Sequence, residues 1–136
     1  MTKSAVRFAV AAALVGALAG VGIDRALIAQ QVGVTRTPLV TVPDPAAATH
    51  DVTLASVTIA PGATTGRHRH PGIEVGYVLE GQLTIAQDDG PTMDLKAGDA
   101  FNPSGIHNGT NAGTTPTRLI VAYVVERGKP IAEAVR

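Results

Sequence analysis

The chain has 136 residues, enough for one domain and short for two. Its formal net charge is zero and it has no cysteine, which excludes disulfides, thiolate metal sites and cysteine nucleophiles and leaves no basic excess for a nucleic-acid backbone. Apolar residues make up 45% and aromatic ones only 3%, so the core has to be aliphatic, built from Val, Ile, Leu and Ala.

Lys3 and Arg7 precede an apolar run from Phe8 to Ile23 that Asp24-Arg25 closes. A positive start followed by such a run is the pattern of a secretory signal. Residues 1–29 are therefore expected to be a signal peptide, with small residues for a peptidase at Ala17-Leu18-Ala19 and Ala29. The run is a little short for a spanning helix, which needs ~20 residues, yet an uncleaved signal anchor is the alternative. A buried helix of the domain is disfavoured because the run carries no polar stripe. The folded part is expected to be exported, either periplasmic or secreted or held at an inner membrane by this segment, its only membrane contact.

Gln30 to Val34 read as a spacer. Thr35 to Val42 (TRTPLVTV) is rich in β-formers but holds Pro38, so an edge strand or extended arm is expected. Unpaired edges seek partners, and a homodimer is the expected assembly. Pro43, Pro45 and Ala46 to Ala48 form a loop, with His50 solvated in it. Asp51 to Ala60 alternates, with Val52 and Leu54 in one phase and Val57 and Ile59 in the other, and the slip near Ala55-Ser56 predicts a bulge there.

Further on, Val75 to Leu79, Gln82 to Gln87, Thr92 to Leu95 and a brief run at Phe101 read as strands. They are separated by Glu80-Gly81, Asp88-Asp89-Gly90 and Lys96 to Asp99. Asn108 to Thr115 is polar and turn-like. Thr117 to Val125 is the longest β-run and is apolar in both phases, which predicts burial on both faces. Arg127 to Arg136 reads as an arm or a frayed end. Strands recurring about every eight to twelve residues with turn signals between them point to an all-β sandwich or barrel.

The residues that carry chemistry lie between Gly62 and Gly81. His68 and His70 are two apart, a spacing that places both on one face of a strand. Glu74 follows across a Pro71-Gly72 turn signal, and His107 lies downstream beside its own Pro-Gly loop. Three imidazoles and a carboxylate form a ligand set for one divalent transition metal (Fe, Mn, Ni, Co, Cu or Zn) and disfavour Mg or Ca. Arg67 and Arg69 alternate outward. Tyr77 falls on the side opposite Glu74. Asn111 reads as a loop-closing amide, Glu80 as an exposed hairpin charge and Asp88-Asp89 as a turn rather than a calcium loop. Ser104 beside His107 lacks an Asp partner and a nucleophile elbow, so hydrolase chemistry is not expected.

These residues resemble the cupin superfamily. Its first motif is Gly, five residues, His-x-His, three or four residues, Glu, six residues, Gly, and Gly62, His68-Arg69-His70, Glu74 and Gly81 meet every spacing. Its second motif is matched by Gly98, Pro103, Gly105, His107 and Asn111, with the Gly98–Pro103 and Gly105–His107 gaps each one residue short. The phrasing around His70 to Gly81 is similar to small, secreted, single-domain bacterial cupins likened to quercetin dioxygenases. The resemblance implies a double-stranded β-helix, a jelly-roll barrel, over residues 35–131. Inside it a metal would be held by His68, His70, Glu74 and His107. It implies no particular substrate.

Two functions follow as expectations. The first is a metal-dependent, dioxygenase-like enzyme acting on a small organic substrate, an isomerase or lyase on the same metal being open, with Glu74 as ligand or as a base leaving the metal. The alternative is a non-catalytic module that captures a small molecule or a metal ion. The scarcity of aromatics argues against a flat aromatic substrate. A purely structural role, with the barrel as a dimer brick, is a third expectation.

Overall fold

The structure, a computed structural model, describes residues 31–136. Ten strands run from Val34 to Ala134: β1 (Val34–Pro43), β2 (His50–Ile59), β3 (His68–Arg69), β4 (Gly72–Glu80), β5 (Gln82–Gln87), β6 (Met93–Lys96), β7 (Ala100–Phe101), β8 (His107–Thr110), β9 (Thr117–Glu126) and β10 (Glu133–Ala134). Among the described residues there is no helix. The expected signal or anchor at residues 1–29 lies outside the described residues.

The strands form two five-stranded sheets, ordered β1-β2-β9-β4-β7 and β10-β3-β8-β5-β6, with every pairing antiparallel. This is the expected all-β double-stranded β-helix. The core between the sheets is aliphatic, as the composition required. Val57, Ile59, Val78, Leu119 and Val121 from the first sheet meet Leu83 and Ile85 from the second. Each such side chain contributes about 1.5–3 kcal/mol by leaving water. Phe101 closes the core at β7, and its ring lies across Gly76, where a Cβ would sit 2.0 Å from the ring. Only glycine fits at position 76.

β1 is the expected edge strand, paired with β2 of its own chain. The predicted bulge is displaced. β2 pairs with β9 without interruption from His50 to Ile59, and the irregularity falls on β1 between Pro38 and Val40. The inward phase of β2 is Thr53, Ala55, Val57 and Ile59, so Val52 and Leu54 point to the outer face. The apparent slip arose because both faces of β2 carry apolar residues. His50 opens β2 rather than sitting in the preceding loop.

Three further expectations are corrected. Residues 107–110 form strand β8 between β3 and β5, where a turn was expected from their polarity. β9 buries only one face fully: Leu119, Val121, Tyr123 and Val125 are buried, while Ile120, Ala122 and Val124 are half-covered. The tail is neither an arm nor frayed, because β10 pairs with β3 and Ile131 is buried. The outer face of the first sheet is markedly apolar, with Ile73, Val75, Tyr77 and Leu79 of β4 each 45–55% exposed.

Candidate metal centre

β3 is only two residues long because Pro71 ends it, and the chain then crosses at Gly72 into the other sheet as β4. His68 and Glu74 thus belong to opposing sheets, although only a short Pro71-Gly72 crossing separates their strands. His68 pairs directly with His107 across β3 and β8, so alternation turns both rings the same way. Their ring centroids are 4.4 Å apart, and His70 lies 4.9 Å from His68 and 5.2 Å from His107. One ligand atom from each of the three falls within 4.8 Å of the others.

Each imidazole is held by a backbone carbonyl at Nδ1. His68 contacts the Gly66 oxygen at 2.8 Å, His107 the Gly105 oxygen at 3.1 Å and His70 the Ile131 oxygen at 2.5 Å. A carbonyl can only accept, so Nδ1 carries the proton in all three rings, and each Nε2 lone pair is free. This arrangement orients metal-ligating histidines and raises their basicity. Glu74 Oε2 approaches His70 Nε2 at 2.9 Å and His107 Nε2 at 3.2 Å, all three side chains being buried. His70 Nε2 and Glu74 Oε2 are both buried without a hydrogen-bond partner. Lone pairs facing one another at that range need a cation between them, either a proton or a metal ion. In an octahedral shell with bonds of about 2.1 Å, neighbouring donors sit about 3.0 Å apart, and these contacts match that spacing.

The electrostatics suit a cation. Burial lowers the His68 imidazole to about 4, the Gly66 carbonyl opposes this, and the charges of His107, His70 and Arg36 add to the lowering. His68 is therefore neutral near pH 7, as a ligand must be. Burial alone would raise the Glu74 carboxyl, but without a metal ion a proton between it and His107 or His70 supplies a hydrogen bond and charge that outweigh burial and hold it at about 2. Glu74 is a carboxylate under all ordinary conditions. Three neutral nitrogens and one carboxylate oxygen suit the later first-row divalent ions.

The three expected imidazoles are thus brought together, with Glu74 against His70 and His107. The residues expected elsewhere are elsewhere. His50 bonds to Thr49. Arg67 and Arg69 point outward into ion pairs with Asp88 and Glu133, Ser104 is tied to Gln87 and Tyr77 is exposed. Asn111 closes its loop, donating to the Ile59 and Thr115 carbonyls at 3.0 and 2.8 Å and accepting from the Gly113 amide at 2.9 Å.

Two side chains were missed. Arg36 of β1 is buried and faces inward, and Tyr123 of β9 is buried beside Glu74. Burial and the Glu74 charge raise the Tyr123 phenol, with Arg36 acting the other way, so it stays protonated. The signal for Arg36 was available: it shares the inward phase of β1 with Val34, an unusual place for a cation. Arg36, Tyr123 and Glu74 line a cavity that also reaches His68 and His107 and is otherwise lined mostly by aliphatic groups.

The cupin domain model matches residues 55–123. The chain belongs to the cupin family. It is 32% identical over 74 residues to an oxalate-binding protein of Thermotoga maritima, a match covering 52% of this chain and 60% of that protein. Among solved structures, an oxalate oxidase in complex with the substrate analogue glycolate aligns with a TM-score of 0.59 at 24% identity, over 79% of this chain and 57% of that one. The polyketide cyclase RemF from Streptomyces resistomycificus aligns with a TM-score of 0.60 at 24% identity, over 78% of this cupin and 73% of the cyclase. At these identities the solved structures establish the fold.

Proposed function

We propose that this cupin binds one divalent transition ion through His68, His70, His107 and Glu74 and uses it on a small organic molecule, as a dioxygenase-like enzyme. The observation that carries the reading is the shared orientation of the imidazoles: three Nδ1 protons committed to carbonyls leave three Nε2 lone pairs in one cluster, two of them against a buried carboxylate oxygen. A bound ion would supply Lewis acidity and a template for an oxygen-bearing substrate. The chain's own residues do the rest. The histidines fix the donor geometry through backbone carbonyls. Aliphatic walls from Val57, Ile59, Leu83 and Leu119 line the pocket beside these donors. Glu74 is a carboxylate that can accept a proton from a substrate beside it. Tyr123 holds a phenolic proton next to that carboxylate.

A second reading, a binding module without turnover, is supported by the Thermotoga maritima relative, which is described as an oxalate-binding protein. One set of measurements separates the two. Purified protein is reconstituted with each candidate ion and assayed for metal by elemental analysis. Oxygen uptake is then followed with oxalate and with enolisable and phenolic compounds. Turnover in any metal form supports the enzyme, and binding without turnover in all of them supports the module. Failure to retain any ion overturns both metal readings.

Export is proposed from residues 1–29 alone, and cell fractionation tests it. Self-association is proposed through the apolar outer face of the first sheet. A monomer by sedimentation equilibrium refutes it.

A further inference from the structure

Among the described residues, one arginine is buried inside the barrel. Arg36 is only 7% exposed and lines the same cavity as His68, His107 and Glu74. Its Nε is buried with no hydrogen-bond partner. Among the described residues no carboxylate lies within ion-pair distance of its guanidinium, since Glu74 is taken up by His70 and His107. A buried guanidinium without an anion is costly, and such groups persist where something bound offsets them.

In strand register Arg36 sits opposite Val57, in an apolar row that continues through Leu119 to Val78. The core there gains nothing from a charge. What the guanidinium offers is a planar fork on a pocket that His68 and His107 also line. With a divalent ion bound, Glu74 offsets part of the ion's charge and nothing offsets Arg36. The pocket is then lined by two positive groups and, for much of the rest, by aliphatic side chains.

We infer that the ligand of this cupin is a small organic acid whose carboxylate pairs with Arg36 while a second oxygen faces the metal centre. The inference rests on the metal reading and adds to it the class of ligand and the residue that selects it. Arg36 is a specificity residue on this view. It reads the carboxylate and leaves metal retention to the four ligands. A neutral diol or amide of the same size leaves the guanidinium unpaired and is rejected.

The test uses the full chain, metal-loaded and metal-free, with oxalate, glycolate and malonate as probes and oxamide and ethylene glycol as neutral controls. Calorimetry is run on the wild type, Arg36→Met and Arg36→Lys, with metal content measured for each. The expected result is binding of at least one acid and of neither control. Arg36→Met should then lose at least tenfold in affinity for that acid at unchanged metal content, and Arg36→Lys should restore part of it. The inference is overturned if Arg36→Met binds the acids as tightly as the wild type, if the controls bind as well as the acids, or if inorganic phosphate binds more tightly than any acid. Should Arg36→Met fail to fold, Arg36→Lys decides: unaltered acid affinity with altered phosphate affinity refutes carboxylate recognition, and weakened acid affinity supports it. A wild type that retains no metal but binds the acids through Arg36 would refute the metal reading and leave the carboxylate site standing.

Discussion

Along β9 the inward side chains change character within four residues. Leu119 stands in a row with Val57 and Val78, whereas Tyr123 stands in a row with Thr53 and Glu74. The first row is aliphatic up to Arg36 at its β1 end. The second is polar and buried, and is joined by His68 and His107 from the opposite sheet and by His70 from the crossing between the sheets. The same strand serves both, so the contrast is in the side chains and not in the backbone. The aliphatic row gives the fold its stability, while the polar row spends some of it to hold donors where water cannot reach them.

Substitutions in the two rows should therefore separate stability from function. The largest effect belongs to the polar row. His107→Ala is expected to cut metal affinity by about 100-fold or more, beyond what loss of a supporting contact costs. Metal-free stability should hardly fall. Elemental analysis and chemical denaturation in chelator check both halves. Next comes the aliphatic row: Val78→Ala, at a fully buried position, should cost about 2 kcal/mol of stability while folded protein keeps its metal stoichiometry. Equal loss of metal in the two variants would erase the distinction between the rows.

Metal itself sharpens the contrast. An ion present at about 100 times its dissociation constant should add about 2.7 kcal/mol to wild-type stability, and a chelator should remove it. Val78→Ala should gain as much as wild type, and His107→Ala little, in denaturant titrations with and without the ion.

Acid should expose the polar row in metal-free protein. His68 is lowered in the fold from 6.5 to about 4, so between those values the unfolded chain binds a proton that the folded one does not. Stability then falls as pH drops from 6.5 toward 4. Glu74 is lowered from 4.5 to about 2, so its contribution is present above 4.5 and is lost as pH falls toward 2. Thermal midpoints in chelator should decline through both windows. A midpoint that rises on acidification from 6.5 to 4.5 would contradict this account. The smallest effect is expected from His50→Ala, which should leave metal binding unchanged, since the His50 ring bonds to the Thr49 hydroxyl and lies outside the site.

Most of the metal centre was legible because its signal is local. His68, His70 and Glu74 lie within seven residues of each other, and the glycines around them mark the turns. His107 is the only other histidine in a comparable frame. The barrel class was legible from strand spacing. Hidden instead was whatever depends on pairing between distant segments. The inward phase of β2 could not be read because Thr53 and Ala55 are small, while the outward Val52 and Leu54 are more apolar. β8 is polar and still a strand, because β3 and β5 satisfy its backbone on both sides. Arg36 was passed over because Pro38 marked its segment as an edge, yet an edge strand also has an inward face.

The hydrogen bond from His70 to the Ile131 carbonyl ties one imidazole to the tail. That tail is held to the barrel by the short β10–β3 pairing and the Val135 amide on the Arg67 oxygen. Such a segment can detach locally at far less cost than global unfolding. Ion exchange would then proceed by peeling of this flap, with the barrel walls intact. Hydrogen-exchange protection at Val135 and the metal off-rate should move in opposite directions as the flap is weakened.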